Sequence, residues 1–151
     1  MARHNDHRPI LIAYDGSDYA REAIKQAGEH LRDGLRAIVL TVWQPPVATG
    51  FMGAPLPDSV EQDVEHEALR VDDEGCRLAR RAGFEATPLA ERGDPTWERI
   101  VEVADEQNAG IVVMGSHGRT GISRLVMGSV ATTAANHTDR PVLIAHRHDG
   151  Q

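Results

Sequence analysis

At 151 residues, with 40% hydrophobic residues and a formal net charge of −7, the chain has the length of one ordinary domain and enough apolar surface to build a core. The negative charge argues against a sequence-independent grip on nucleic acid or an anionic membrane, and the basic residues, fifteen Arg and the one Lys, Lys25, are scattered rather than clustered. A single cysteine, Cys76, excludes an intramolecular disulfide and a thiol cluster for a metal, and no apolar run approaches a membrane span.

The first eight residues read as a polar arm with no apolar signal region, ahead of one domain over residues 9–147, and the expected compartment is the cytoplasm. Pro9–Tyr14 is a short continuous apolar run, the mark of a strand buried on both faces. Ser17 can cap a helix whose apolar stripe is Ala20, Ala23, Ile24, Ala27 and Leu31. Ala37–Trp43 is a second buried strand. The stretch Gln44–Asp58 holds four prolines with Gly50 and Gly53, so it is irregular, and it is long for a connection inside a domain.

Ser59 opens a long helix to about Ala82, with Val60, Val64, Ala68, Val71, Leu78 and Ala79 inward, Cys76 a half-buried filler, and Gly83 placed to end it. Its acidic residues, Glu61, Asp63, Glu65, Glu67, Asp72, Asp73 and Glu74, read as a solvated outer face. Phe84–Ala90 is a weaker third strand. Asp94-Pro95 is a helix start, a cap followed by proline in the first turn, for a helix to about Asn108. Ile111–Gly115 and Val142–His146 are the fourth and fifth strands, with a helix from about Ser129 to His137 between them. Strands separated by helices imply a single-domain open parallel α/β sheet with helices on both faces.

The chemistry concentrates after the fourth strand, in Gly115-Ser116-His117-Gly118-Arg119-Thr120-Gly121 and, seven residues on, Gly128-Ser129-Val130. In parallel α/β sheets, ligands sit beyond the carboxyl ends of the strands, where the strand order reverses. Glycines there allow close backbone approach, and a helix opening at Gly128-Ser129 offers free N–H groups, a hydroxyl and the positive end of its dipole to an anion. That is a phosphate site in outline, against the plainer reading of a glycine-rich turn with an ordinary serine cap. Arg119 could pair with the phosphates or be a solvated loop arginine, and Arg124 is a weaker candidate of the same kind. His117 could donate a proton to phosphate. The other histidines lack the spacing of a metal site. No Lys stands in the loop for a Walker A motif, no dinucleotide fingerprint follows the first strand, and Ser129 lacks the Gly-x-Ser-x-Gly elbow of a serine nucleophile.

Gly115, two residues, Gly118, nine residues, Gly128-Ser129 is the spacing of the ATP motif of the universal stress protein family. With ILIAYDGSDYA near the start, a second strand ending in Val42, and the closing DRPVLIAHR, nearly the whole chain resembles the ATP-binding branch of that family. The resemblance implies a five-stranded sheet in the order 3-2-1-4-5 with ATP, alone or with Mg²⁺, between strands one and four. It implies that Asp15 touches the adenosine end and that the Val42 backbone contacts adenine. Gly115 and Gly118 would let the loop close over ribose and phosphate, and Gly128, Ser129 and Val130 would hold the phosphates. Asp15 also has a rationale of its own, since it ends the first strand at the sheet edge that carries the glycine loop.

In that order the fifth strand is a bare edge, apolar on both faces at Val142, Leu143 and Ile144, which a homodimer paired through this strand would cover. The function expected is an ATP-binding regulatory module with little or no turnover. The alternatives are a slow ATPase or adenylyl-transferring enzyme, and a nucleotide-independent interaction protein.

Overall fold

Ile10, Leu11 and Ile12 are no more than 3% exposed, as a strand covered on both faces requires, and they form β1 (Ile10–Ala13) at the centre of the sheet. The computed structural model describes residues 8–46, 55–119 and 126–147. In chain order follow α1 (Asp18–His30), β2 (Arg36–Trp43), α2 (Asp58–Arg81), β3 (Glu85–Arg92), α3 (Thr96–Glu106), β4 (Ile111–Gly115), α4 (Ser129–His137) and β5 (Val142–Ala145). The strands form one sheet in the order β3-β2-β1-β4-β5, every pair parallel. This is the α/β architecture and strand order expected. The chain winds outward from β1 to β3 on one side and from β4 to β5 on the other, so the order reverses between β1 and β4.

Alternate residues of the strands feed two apolar layers. Ile10, Ile12 and Val39 pack with Ala23, Ile24 and Ala27 of α1 and with Val71, Cys76 and Ala79 of α2. Leu11, Leu40 and Val112 pack with Ile100 and Val103 of α3 and with Ala131 and Ala134 of α4 on the other face. Helix ends follow their local chemistry. The Ser17 hydroxyl accepts from the Ala20 N–H, as its position suggested. At the end of α2, Gly83 takes φ +104 while the Gly83 and Phe84 N–H groups return to the Arg80 and Ala79 carbonyls, a Schellman closure.

Four expectations need correction. Asp94 does not cap α3: the Asp94-Pro95 peptide is cis, extended Pro95 occupies the cap position, and the Asp94 carboxylate accepts instead from the Gln44 side-chain amide. Ser129 does not cap α4 either. Gly128 is the cap, its carbonyl already accepting from the Thr132 N–H, and Ser129 is the first helical residue. Asp72 is not on a solvated face but is fully buried, and Cys76 is buried rather than half-buried. Helical phase explains both, because 68, 72, 75–76 and 79 fall on one stripe facing the sheet, whatever their polarity. Smaller differences concern element ends: α2 starts at Asp58 behind Pro57, β3 runs on to Arg92, and β5 stops at Ala145. Gly50 and Gly53 of the proline-rich connection lie outside the described residues; 44–46 and 55–57 are irregular as expected.

Candidate functional site

Beyond the carboxyl ends of β1, β2 and β4 lies a cavity of about 550 Å³. Asp15, Val42, Gly115, Gly118, Arg119, Gly128, Ser129 and Val130, the eight candidate residues, all contribute to its lining. The fold brings them together for a simple reason: strand ends on either side of the reversal point diverge and leave a crevice.

The first wall is built by the turn after β1. The Ser17 N–H donates to Asp15 Oδ1 at 2.9 Å, and Gly16 between them takes φ +78, a conformation a side chain would strain. The turn after β4 closes against this one. Arg119 Nε donates to the Asp15 carbonyl at 2.6 Å, and a Cβ built on Gly118 would stand 2.9 Å from Asp15 Oδ2. Gly118 is therefore small because a carboxylate lies against it.

Gly115 and Gly128 are similarly constrained by protein. A Cβ on Gly115 would meet the Tyr19 backbone at 2.7 Å, and one on Gly128 would meet the Ser116 carbonyl at 3.0 Å. The Gly128 N–H donates to that same carbonyl at 2.7 Å, which ties the start of α4 to the end of β4. Ser129 and Val130 are exposed in the first turn of a nine-residue helix, where N–H groups have no intrahelical acceptor.

His117 is held inside the turn. Its Nε2 donates to the Val126 carbonyl, its Nδ1 meets the Ser116 hydroxyl at 3.0 Å, and its ring lies 4.9 Å from that of Tyr19. Both ring nitrogens thus serve the loop. Arg119 also lines the cavity, and its charge helps hold the Glu67 carboxyl below its ordinary range, behind the larger effect of Arg70. Arg124 lies outside the described residues. Asp15 is the one carboxylate among the described lining residues, and no three His, Cys, Asp or Glu side chains cluster as a metal site among the described residues.

Sequence reasoning missed the α3 side of the cavity. Thr96 and Ile100 contribute to its lining beside Leu40 and Val42, so this end is largely apolar. The signal was available in the helix phase, since 96 and 100 are one turn apart at the start of a helix that follows β3. It missed as well how Tyr14, the residue before Asp15, is held. Its ring packs where Gly75 leaves room, since a Cβ there would lie 2.6 Å from the ring. Its hydroxyl donates to Glu74 Oε1 at 2.6 Å, an oxygen that Arg21 also reaches, and burial together with Glu74 pushes the phenol well above its usual range. Its carbonyl accepts from the Thr41 hydroxyl at 2.9 Å.

Residues 7–146 match the sequence profile described as the universal stress protein family. The chain is 30% identical over 146 residues to universal stress protein MJ0531 of Methanocaldococcus jannaschii, covering 95% of this chain and 84% of that one. Among solved structures it resembles a universal stress protein in complex with cAMP, at 27% identity and TM-score 0.62, over 95% of this chain and all of the other. It also resembles a universal stress protein of Archaeoglobus fulgidus in complex with dAMP, at 25% identity and TM-score 0.61, over 92% and 98% of the two chains.

Proposed function

The chain belongs to the universal stress protein family, and from that premise we propose that its cleft binds ATP as a regulatory signal, with little or no turnover. The observation that carries the reading is the convergence of the eight candidate residues on one cavity at the reversal point of the sheet. The adenine-nucleotide complexes of the two structural relatives support the adenosine half.

The parts divide the work by their chemistry. Leu40, Val42 and Ile100 offer apolar wall for a base, and Asp15 offers an acceptor for ribose hydroxyls. The first-turn N–H groups and the hydroxyl of Ser129 suit phosphate oxygens, helped by the helix dipole and the Arg119 guanidinium. Mg²⁺, where it accompanies ATP, would supply charge neutralisation between phosphates, and Asp15 is the carboxylate placed to meet it. A transfer enzyme needs more than this, namely a positioned water or acceptor and neutralisation of the moving group. The intact glycine loop favours binding over a nucleotide-independent role.

Ser129→Ala should lower ATP affinity roughly 10- to 100-fold, the value of one charge-assisted hydrogen bond, with the fold retained. Calorimetric titration measures it, and unchanged affinity would take the phosphates away from α4.

The proposal places the nucleotide-binding domain at 9–147 behind a polar arm of residues 1–8, in the cytoplasm. None of the described helices is long and apolar enough to cross a membrane. The domain pairs with its own copy through β5. Val142, Leu143 and Ile144 stay half-buried in the single chain. The Pro141 and Ala145 carbonyls accept from the Val112 and Ser116 N–H groups of the β4 side, so by alternation those of Val142 and Ile144 face outward. Ile144→Pro or Val142→Pro removes an outward N–H while sparing the β4 ladder, and each should convert a particle of twice the 16.5 kDa chain mass into a monomer in light scattering. A dimer unaltered in both variants would place the contact elsewhere.

A further inference from the structure

Asp72 stands in the middle of α2, fully buried, with Oδ1 3.1 Å from the Thr41 hydroxyl and Oδ2 without a hydrogen-bond partner among the described residues. Thr41, also buried, is at the same time 2.9 Å from the Tyr14 carbonyl, and Tyr14 is joined directly to Asp15 at the cleft. A threonine hydroxyl carries one proton and can donate one full hydrogen bond. Two acceptors, the Asp72 carboxylate and the Tyr14 carbonyl, therefore compete for it when Asp72 is ionised. The competition disappears when Asp72 is protonated, because Asp72 then donates to Thr41 and leaves the threonine proton to Tyr14.

We infer that Asp72 is a positioning residue of the cleft, which in its protonated form frees the Thr41 proton for the Tyr14 carbonyl and so fixes the peptide that carries Asp15. The inference rests on the proposed binding of nucleotide at Asp15. The Tyr14 N–H is fixed to the Leu40 carbonyl and its other contacts hold the ring and hydroxyl, so the Thr41 bond is the side-chain contact on the carbonyl side of that residue.

The surroundings of Asp72 make the protonation accessible near neutrality. Burial pushes its carboxyl up to about 6, against the opposing pull of the Thr41 hydroxyl and the Leu89 backbone of β3. Asp73 of the same helix raises it further, and Cys76, one turn on, faces it with a thiol pushed up to about 11. On the α2 face of β2 and β3 the one ionisable position is Arg92, which is paired with Glu61 in the first turn of α2, while Thr41, Ala86, Pro88 and Ala90 carry no charge. From α1, Arg21 is engaged with Glu74, and Arg80 of α2 donates to the Ala86 carbonyl.

The test is made first on nucleotide-free protein, following the Asp72 carboxyl carbon and the Asp15 and Gly16 amides by NMR from pH 5 to pH 8. The amides should titrate with the midpoint of the Asp72 carboxyl. Asp72→Asn should abolish that titration, and Thr41→Val should leave Asp72 titrating while the amides no longer follow. Amides that ignore Asp72, or that follow it unchanged in Thr41→Val, would overturn the inference.

ATP affinity is then compared between Asp72→Asn and wild type at each pH, so that the titration of ATP itself cancels. The ratio should be near one at pH 5 and rise to roughly fivefold in favour of the variant at pH 8, the value of one neutral hydrogen bond. A ratio flat with pH would also overturn it. If neither protein binds ATP, the proposed function falls, while the amide titration still decides the coupling.

Discussion

Asp72→Asn is expected to stabilise the folded protein at pH 7.5 by up to about 3 kcal/mol, and to lose that advantage as the pH falls toward 4. The ordinary carboxyl value of 3.8 rises to about 6 in the folded chain, chiefly because burial disfavours the charge. The folded state then binds the proton more tightly than the unfolded state does. Stability through this group is therefore highest below the unfolded value and is lost as the pH rises through the folded one. Asparagine keeps the shape and can donate to Thr41 without ever carrying the charge. Urea unfolding at a series of pH values reads the difference directly. An Asp72→Asn protein less stable than wild type at pH 7.5 would mean that the Thr41 hydroxyl and the Leu89 backbone favour the carboxylate by more than burial disfavours it.

Gly115→Ala is expected to destabilise the protein by about 1–3 kcal/mol, although Gly inside a strand is intrinsically worse than Ala by roughly 0.5–1 kcal/mol. The two effects oppose each other, and the contact decides between them. The new Cβ would lie 2.7 Å from the Tyr19 carbonyl carbon and 2.9 Å from its oxygen, both backbone atoms in the first turn of α1. Neither can swing aside, so α1 must move off the end of β4, and the cleft widens with it. Both stability and ATP affinity should fall. A variant of full stability that binds ATP poorly would return Gly115 to the simpler role of making room for ligand.

The comparison of Gly115 with Asp72 marks how far the sequence could be read. The strand order was legible through the whole-chain resemblance, and the alternation of apolar runs with helical stripes independently required a parallel sheet. The position of the cleft followed from the same alternation, because strand ends at a reversal point are where ligands fit. What stayed hidden is contact between residues distant in the chain. The glycines were legible as close-approach positions, but not that Gly115 approaches Tyr19 or that Gly118 approaches Asp15. Asp72 sat in a run of acids that suggested solvent, and polarity was given more weight than helical phase. Caps were misread at Asp94 and Ser129 because a good capping residue marks a helix start only to within one or two positions.

The function proposed for this cleft is to bind ATP without hydrolysing it. Protein stripped of nucleotide by unfolding and refolding, then titrated calorimetrically with ATP and Mg²⁺, should show one saturable site per chain. Ultrafiltration and mass spectrometry should then recover the nucleotide as ATP, with phosphate release far below the ordinary enzyme range of about 1–10³ s⁻¹. No heat and no retained nucleotide in the refolded protein would rule out ATP binding, and recovery of the nucleotide as product at a rate inside that range would make the protein an enzyme.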